Sequence, residues 1–417
     1  MTPGSSGSDV PDPCSFSFRE VSMTRTQAAP NTERAVQERY SSASRTAEPN
    51  LCCPTEYRTE LLKAIPLEIL EKDYGCGDPS RHLRTGETVL DLGSGSGKLC
   101  FIASQVVGPA GRVIGIDMND DMLALARRHA PDVGRAIGYS NVSFHRGHIQ
   151  DLTLDLEAAD NLLRHQPVTC TADLARYQEV VESMRREQPL VASDSVDVVI
   201  SNCVLNLVDP GQKPRLFAEI YRVLRRGGRA VISDIVSDED VPVDLQSNPE
   251  LWSGCISGAL RDDIFLSSFE AAGFYGITQI SRQESPWRTV GGIEFRSLTV
   301  AAWKGKEGPC LEQNHAVIYK GPFREVQDDD GHVLRRGERT AVCGKTYAIL
   351  TNQPYSQHFE PIPPAAPVPE SEARPFDCTG GSRRRPPRVA KRGGNNGTSQ
   401  DIDRCGSRAG DGHERCC

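Results

Sequence analysis

The chain has 417 residues and a formal net charge of −8, with a sequence pI near 5.7. That balance argues against a body built to bind nucleic acid, and the length allows two or three domains. Hydrophobic residues make up 38% and the mean hydropathy is −0.43, which suits a soluble core with polar tails. No apolar run approaches the roughly 18 residues needed to span a bilayer.

Residues 1 to about 35 are rich in Ser, Pro, Thr and Gly without periodicity and read as disordered. They lack the charged-then-apolar pattern of a secretory signal, so a cytoplasmic, monomeric protein without membrane or nucleic-acid partners is expected. In that compartment 14 cysteines point to metal, metalloid or redox chemistry rather than a disulfide framework. They are dispersed rather than set in CxxC pairs, and any one taken alone is most simply an inert core thiol.

Residues 36–86 form a helical lead-in. Val36, Tyr40 and Ala43 share a face over Thr32 to Ser44, and Leu61, Leu62, Ile65, Ile69 and Leu70 follow Leu51-Cys52-Cys53-Pro54. The lead-in closes on Asp73-Tyr-Gly-Cys76-Gly77, where a glycine-flanked loop cysteine has less packing rationale than a core one.

A domain over 87–240 is organised around Val89-Leu-Asp91-Leu-Gly93-Ser94-Gly95-Ser-Gly97-Lys-Leu-Cys100. Val89, Leu90 and Leu92 suit a buried parallel strand. The three glycines turn it sharply into a helix over Lys98 to Val107 and allow a ligand close to the main chain. Val113-Ile-Gly-Ile-Asp117 is a second strand ending in an acid. Glycine loop, helix, strand and terminal acid make the nucleotide-binding half of a doubly wound sheet. Lys98 is followed by Leu99, so the loop lacks the end of a phosphate-binding P-loop.

A helix is expected from Asn119 to His129 and a third strand over Val142 to Ile149. The stretch 152–190 reads as a solvent-facing insertion with helices of its own, one of them Leu174 to Arg185. Ser195 to Cys203 is the fourth strand; ligands of open α/β sheets bind beyond the carboxyl ends of the strands, which places Cys203 well. Lys213 to Leu224 is the next helix, and a turn at Arg225 to Gly228 feeds the strand Ala230 to Asp234.

Residues 241–309 should complete the sheet and the substrate site. Cys255 sits there between small residues, followed by a helix over Phe265 to Gly273 and strands over Ile277 to Ile280 and Ser297 to Trp303. Residues 310–360 read as a small, mostly β module, with strand-like Ala316 to Tyr319, Phe323 to Val326, His332 to Leu334 and Lys345 to Leu350. Residues 361–417 read as a basic, disordered tail.

Asp91-Leu-Gly-Ser-Gly-Ser-Gly97 resembles motif I of class I S-adenosylmethionine-dependent methyltransferases. Tyr74-Gly-Cys76-Gly77, Ser201-Asn-Cys203-Val-Leu-Asn-Leu207 and Trp252-Ser-Gly-Cys255-Ile-Ser-Gly-Ala-Leu260 resemble the cysteine motifs of arsenite methyltransferases. The likeness spans roughly Val36 to Leu350 and implies a Rossmann-like α/β methyltransferase fold. It implies that Asp91, Gly93, Ser94, Gly95 and Gly97 shape the methionine side of an S-adenosylmethionine pocket. Asp117 and Met118 would then lie at the ribose, and His148 and Ile149 at the adenine.

The same likeness implies that Cys203 and Cys255 hold trivalent arsenic, as arsenite or a methylated arsenical. Cys76 would join them and form a transient disulfide that glutathione or thioredoxin reopens, and Cys52 or Cys53 would stand for a further family cysteine. Independently, a soft centre prefers thiolate ligands. Arsenic bound by sulfur keeps a lone pair that needs no general base, so catalysis is largely positioning. Two other readings stay open: methylation of an organic molecule such as a quinone or sterol, and metalloid binding without catalysis. Cys310, Cys343, Cys378 and Cys405 read as bystanders; the vicinal Cys416-Cys417 is a better metalloid-binding candidate.

Overall fold

The computed structural model describes residues 32–46, 48, 55–72, 74–379 and 381–391. The expectations for Cys52, Cys53, Cys405, Cys416, Cys417 and the tail segments 1–31 and 392–417 lie outside them. The chain divides into two compact units between Gly305 and Lys306.

The first unit opens with α1 (Thr32–Ala43), α2 (Thr59–Leu62) and α3 (Leu67–Glu71), the last beginning after Pro66 at its N-cap. A proline has no N–H to give a preceding turn, so the lead-in is broken here. The alternation that follows is β1 (Thr88–Leu92), α4 (Lys98–Val107), β2 (Arg112–Asp117), α5 (Asp120–Ile137) and β3 (Val142–Arg146). Helix α5 runs past its expected end at His129. Pro131 removes one interior hydrogen bond, yet Val133 is buried beyond it and Gly138, at φ 87°, supplies the left-handed stop.

The insertion forms α6 (Leu156–His165) and α7 (Thr171–Glu187), which close on a small cluster of Leu154, Ala159 and Val181. Arg185 of α7 meets Asp151 at 2.8 Å, and Asp151 in turn meets Arg215 at 2.9 Å. Next come β4 (Val196–Asn202), α8 (Lys213–Val223), β5 (Leu224–Ser237), α9 (Val243–Gln246) and α10 (Pro249–Ser253). The unit ends with β6 (Leu260–Arg261), α11 (Asp262–Ala271), β7 (Tyr275–Arg282), β8 (Arg288–Val290) and β9 (Ile293–Trp303).

The sheet order is β3-β2-β1-β4-β5-β9-β7, with β6 on β5 and β8 on β9. Strands β3 to β5 are parallel, while β9 runs antiparallel to both β5 and β7. This is the doubly wound α/β sheet expected from the alternating pattern. All seven residues of β4 are buried because helices cover both faces. On one face Phe269 packs edge to face against Phe217, Phe265 and Phe274 at centroid distances of 4.9, 5.4 and 5.7 Å. Among the described residues no helix is long and apolar enough to cross a membrane.

The second unit contains β10 (Leu311–Glu312), β11 (Ala316–Tyr319), β12 (Glu325–Gln327), β13 (Val333–Arg335) and β14 (Arg339–Ala341). Helix α12 (Gly344–Thr351), β15 (Phe359–Ile362) and β16 (Arg374–Pro375) complete it. It has a three-stranded sheet β14-β11-β15 and two antiparallel two-stranded pairs, β10-β16 and β12-β13. Lys345 to Leu350, expected as strand, is helical. Thr346, Ile349 and Leu350 bury one helical face, and Cys343 caps the first turn, its sulfur accepting the Thr346 N–H at 3.3 Å. A short apolar run does not tell strand from helix by periodicity alone. The fold also continues past the expected boundary at 360: β16 pairs with β10, Arg385 meets Glu312 at 2.7 Å, and Ala390 is fully buried.

Phe269→Ala should lower unfolding free energy by about 3–5 kcal/mol in urea titrations. Phe323→Ala, at an exposed position, should change it by less than about 0.5 kcal/mol. Equal effects would show that the four-phenylalanine cluster is not the core contact described.

Candidate active site

The glycine loop leaves β1 with three left-handed backbones, Gly93 at φ 72°, Gly95 at 50° and Gly97 at 89°. The main-chain N–H groups of Gly93 and Ser94 both donate to Ile116 O, and Gly95 N–H donates to the Asp117 carboxylate at 2.8 Å. The loop is thereby locked to the end of β2. Each glycine has its own reason. A Cβ on Gly93 would stand 2.4 Å from Val204, and one on Gly97 would stand 2.8 Å from Phe144. A Cβ on Gly95 would meet nothing within 4 Å, so that face is open for a ligand.

A cleft of ≈ 350 Å³ opens above this loop. Asp91, Gly93, Ser94, Gly95, Asp117, Met118, His148 and Ile149 all lie on its wall, and so does Cys203. Gly97 does not; it serves the turn. The Ser94 and Ser96 hydroxyls are buried without a hydrogen-bond partner. Such groups are uncommon in a finished fold and suit the rim of a polar ligand. Burial pushes the Asp117 carboxyl up, while N–H groups of Asn119, Gly95 and Met118 pull the other way. An acid at a strand end with backbone donors on one side is suited to two vicinal hydroxyls. The residues present therefore fit a nucleoside-type methyl donor.

Cys203 follows directly on β4, at the point where the strand order reverses between β1 and β4. Its φ is +64°, and that of Cys255 is +61°. A non-glycine residue held there costs about 1–3 kcal/mol. Surrounding bonds hold both in place: Cys203 N–H donates to Ser233 O at 2.8 Å, and the Cys255 thiol donates to Cys203 O at 3.0 Å. A Cβ on Gly258 would stand 1.9 Å from Asn206 O, so the Cys255 loop can lie on the Cys203 loop only with glycine there.

Cys76 arrives from the lead-in. Its N–H and that of Gly77 donate to Asn202 Oδ1 at 2.8 and 3.1 Å, and Asn202 Nδ2 returns a bond to Gly77 O at 2.7 Å. The flanking glycines are explained by this contact. A Cβ on Gly75 would stand 2.4 Å from Asn202, and one on Gly77 would stand 2.5 Å from Ser233. The three cysteines thus share one apolar cluster with Ile235, Ile256 and Phe295. Cys203 interacts with both Cys76 and Cys255, and only Cys203 reaches the cleft wall. Burial raises the Cys76 thiol, and burial plus the two neighbouring thiols raises Cys203 well above its ordinary value. Cys76 and Cys203 therefore rest as neutral thiols.

Sequence reasoning gave no role to several residues that build this site. Glu33, Val36, Gln37 and Tyr40 of α1 line the cleft, and the buried Tyr40 hydroxyl faces Cys203 and Cys255. Asn202 is the clamp on the Cys76 loop; its signal was an amide closing a buried strand. Asn206 Nδ2 donates to Ile235 O at 2.6 Å and Cys255 O at 3.3 Å, while Lys213 Nζ donates to Leu205 O and Gly258 O. Burial lowers Lys213 to about 8 and raises Asp234, beside Cys76, to about 6.

The fold and the cleft define a class I S-adenosylmethionine methyltransferase. In keeping with this, residues 83–188 and 181–273 match a methyltransferase domain model. Residues 306–395 match a domain of unknown function, DUF8838. The chain is 31% identical over 312 residues to an arsenite methyltransferase of Aquipseudomonas alcaligenes, covering 72% of this chain and 80% of that one. It is 30% identical over 314 residues to the Homo sapiens arsenite methyltransferase, covering 72% and 73%. The crystal structure of CrArsM, an arsenic (III) S-adenosylmethionine methyltransferase from Chlamydomonas reinhardtii, is similar with a TM-score of 0.50 at 28% identity, covering 78% of this chain and 100% of that one. The chain belongs to the arsenite methyltransferase family.

Asn202→Ala should release the Cys76 loop. Losing bonds worth about 2–3 kcal/mol in all should speed iodoacetamide labelling of native Cys76 roughly 30–150-fold, read by peptide mass spectrometry; unchanged labelling would reject the clamp. Asp234 gives a pH test. A carboxyl raised from 3.8 to about 6 on folding contributes stability that is fully present below pH 3.8 and lost as pH rises through 6. Relative to Asp234→Asn, the wild type should lose about 2 kcal/mol between pH 4 and pH 7. A pH-independent difference in urea midpoints would contradict the assignment.

Proposed function

We propose that the chain methylates trivalent arsenic held by Cys203, Cys255 and Cys76, using a methyl donor seated on the glycine loop. The observation that carries this reading is the position of Cys203. It stands on the wall of the donor cleft and in contact with two further buried thiols. In this reading Gly93, Ser94, Gly95 and Asp91 take the methionine side of the donor, Gly97 keeps the loop in shape, and Asp117 and Met118 take the ribose. His148 and Ile149 take the adenine. S-adenosylmethionine, when bound, supplies an electrophilic methyl group within reach of the arsenic lone pair.

The buried thiols suit a neutral substrate. Arsenous acid exchanges each hydroxide for a sulfur; the thiol proton leaves with the hydroxide as water, and no charge is buried. The left-handed backbones of Cys203 and Cys255 fix where the sulfurs point, so the bound arsenic arrives oriented, which is where the rate gain comes from. The packing of Ile235, Ile256 and Phe295 around the sulfurs keeps water from competing. After transfer, the pentavalent product takes two electrons from two thiols, one of them Cys76, and a disulfide forms. A glutathione- or thioredoxin-type thiol then returns the two electrons. A cytoplasmic, monomeric enzyme fits this reading.

The test is mass-spectrometric arsenic speciation after incubation with arsenite, S-adenosylmethionine and a thiol. The unmodified chain should yield mono- or dimethylated arsenic. Cys203→Ser should lose about two orders of magnitude in rate, the scale of removing a group at the reacting atom, with donor affinity little changed by calorimetry. No methylarsenic from the unmodified chain despite donor binding would redirect the search to organic acceptors.

A further inference from the structure

We propose that the second unit carries a separate thiol site, formed by Cys310, Cys343 and Cys378, that binds trivalent arsenic without methylating it. The three sulfurs all lie within 4.8 Å of one another, and all three cysteines are free. They come from distant parts of the chain. Cys310 precedes β10 and Cys378 follows β16; the pairing of those strands, with Phe376 N–H donating to Cys310 O at 2.8 Å, brings the two together. Cys343 is the fully buried N-cap of α12. Cys310 and Cys378 are half-buried, so a small ligand can reach the group.

Local structure does not account for the trio. Helix caps favour oxygen side chains, and a serine would cap α12 at least as well as Cys343 does. Nor do the sulfurs fill a core, since two of them meet solvent. Sulfurs about 2.3 Å from a common centre in tetrahedral directions stand about 3.8 Å apart. The observed group therefore needs to contract by about an ångström at most. The number of donors chooses the ligand. Structural zinc takes four protein ligands, whereas among the described residues this group has three. Three thiolates suit a soft, three-coordinate centre. The helix N-terminus at Cys343 and the Lys345 ammonium beside Cys310 add positive potential.

Binding is an exchange without redox change. Arsenous acid and three thiols give the arsenic tris-thiolate and three waters; three As–O bonds break, three As–S bonds form, and each proton leaves with a hydroxide. The site stands on its own sulfurs; the choice of arsenic among soft centres rests on the catalytic reading.

The experiment uses the full, reduced, metal-free chain and sodium arsenite, with bound arsenic counted after desalting. Cys343→Ser/Cys378→Ser, which keeps an oxygen cap on α12, should bind one arsenic fewer than the wild type and methylate normally. Cys203→Ser should also bind one fewer but lose methylation, so failure of either site is seen separately. In the wild-type chain, arsenite at about 100 times its Kd should slow alkylation of Cys310, Cys343 and Cys378 about 100-fold, mapped by peptide mass spectrometry. This second readout needs no variant to fold. Unchanged arsenic content in the double variant, or no protection in the wild type, overturns the proposal. So does one zinc per purified chain that the same double substitution removes and arsenite does not displace.

Discussion

The parallel pairing of β1 with β4 is the constraint from which the site follows. Leu92 stands opposite Ser201, whose hydroxyl donates to Leu92 O at 2.8 Å. One residue beyond Leu92 the glycine loop begins; two beyond Ser201 stands Cys203. Because strand order reverses between these two strands, their carboxyl ends leave a crevice rather than a helix crossover. The glycine loop and a thiol therefore face the same space by register alone, without either segment contacting the other in sequence.

The crevice would be useless if its thiols wandered, and the structure spends stability to prevent that. Cys203 and Cys255 sit in a backbone region that costs about 1–3 kcal/mol each. The opposing contributions are buried hydrogen bonds: Asn202 on the Cys76 loop, Asn206 across to Cys255 O, and the Lys213 ammonium on two carbonyls. Each such bond is worth about 1 kcal/mol net, and each is far more expensive to break inside a buried network than to form there. Strain and polar clamps are two halves of the same positioning device.

This explains what was legible in the sequence and what was not. The glycine loop, the acid at Asp117 and the sulfur contexts are local patterns, each readable over a few residues, and the placement of the loop, Asp117 and Cys203 on the cleft wall followed from strand order. Long-range partners leave no such trace. Val36 and Tyr40 announced a helical face but not that it would line the donor cleft. Asn202 looked like a neighbour of Cys203 rather than the clamp on Cys76, because the clamp joins residues 126 apart. The run Lys345 to Leu350 was too short for its period to separate strand from helix. The proline-rich stretch after 360 folds because its backbone groups find partners on β10 and β14, pairings of one or two residues that no periodicity shows.

The two thiol groups differ in a way that their surroundings dictate. Around Cys203 the sulfurs are buried in a mostly apolar cluster, so a neutral acid exchanging its hydroxides for sulfurs suits the site. Around Cys310 two of three sulfurs meet water, and a lysine and a helix N-terminus stand beside them. Exchange with external thiols is open to the two partly exposed cysteines. A buried trio is suited to orienting a substrate for attack, and a trio with two partly exposed members to taking it up and releasing it. The same three-sulfur chemistry is thus divided between orientation and exchange by the dielectric and the charges around it.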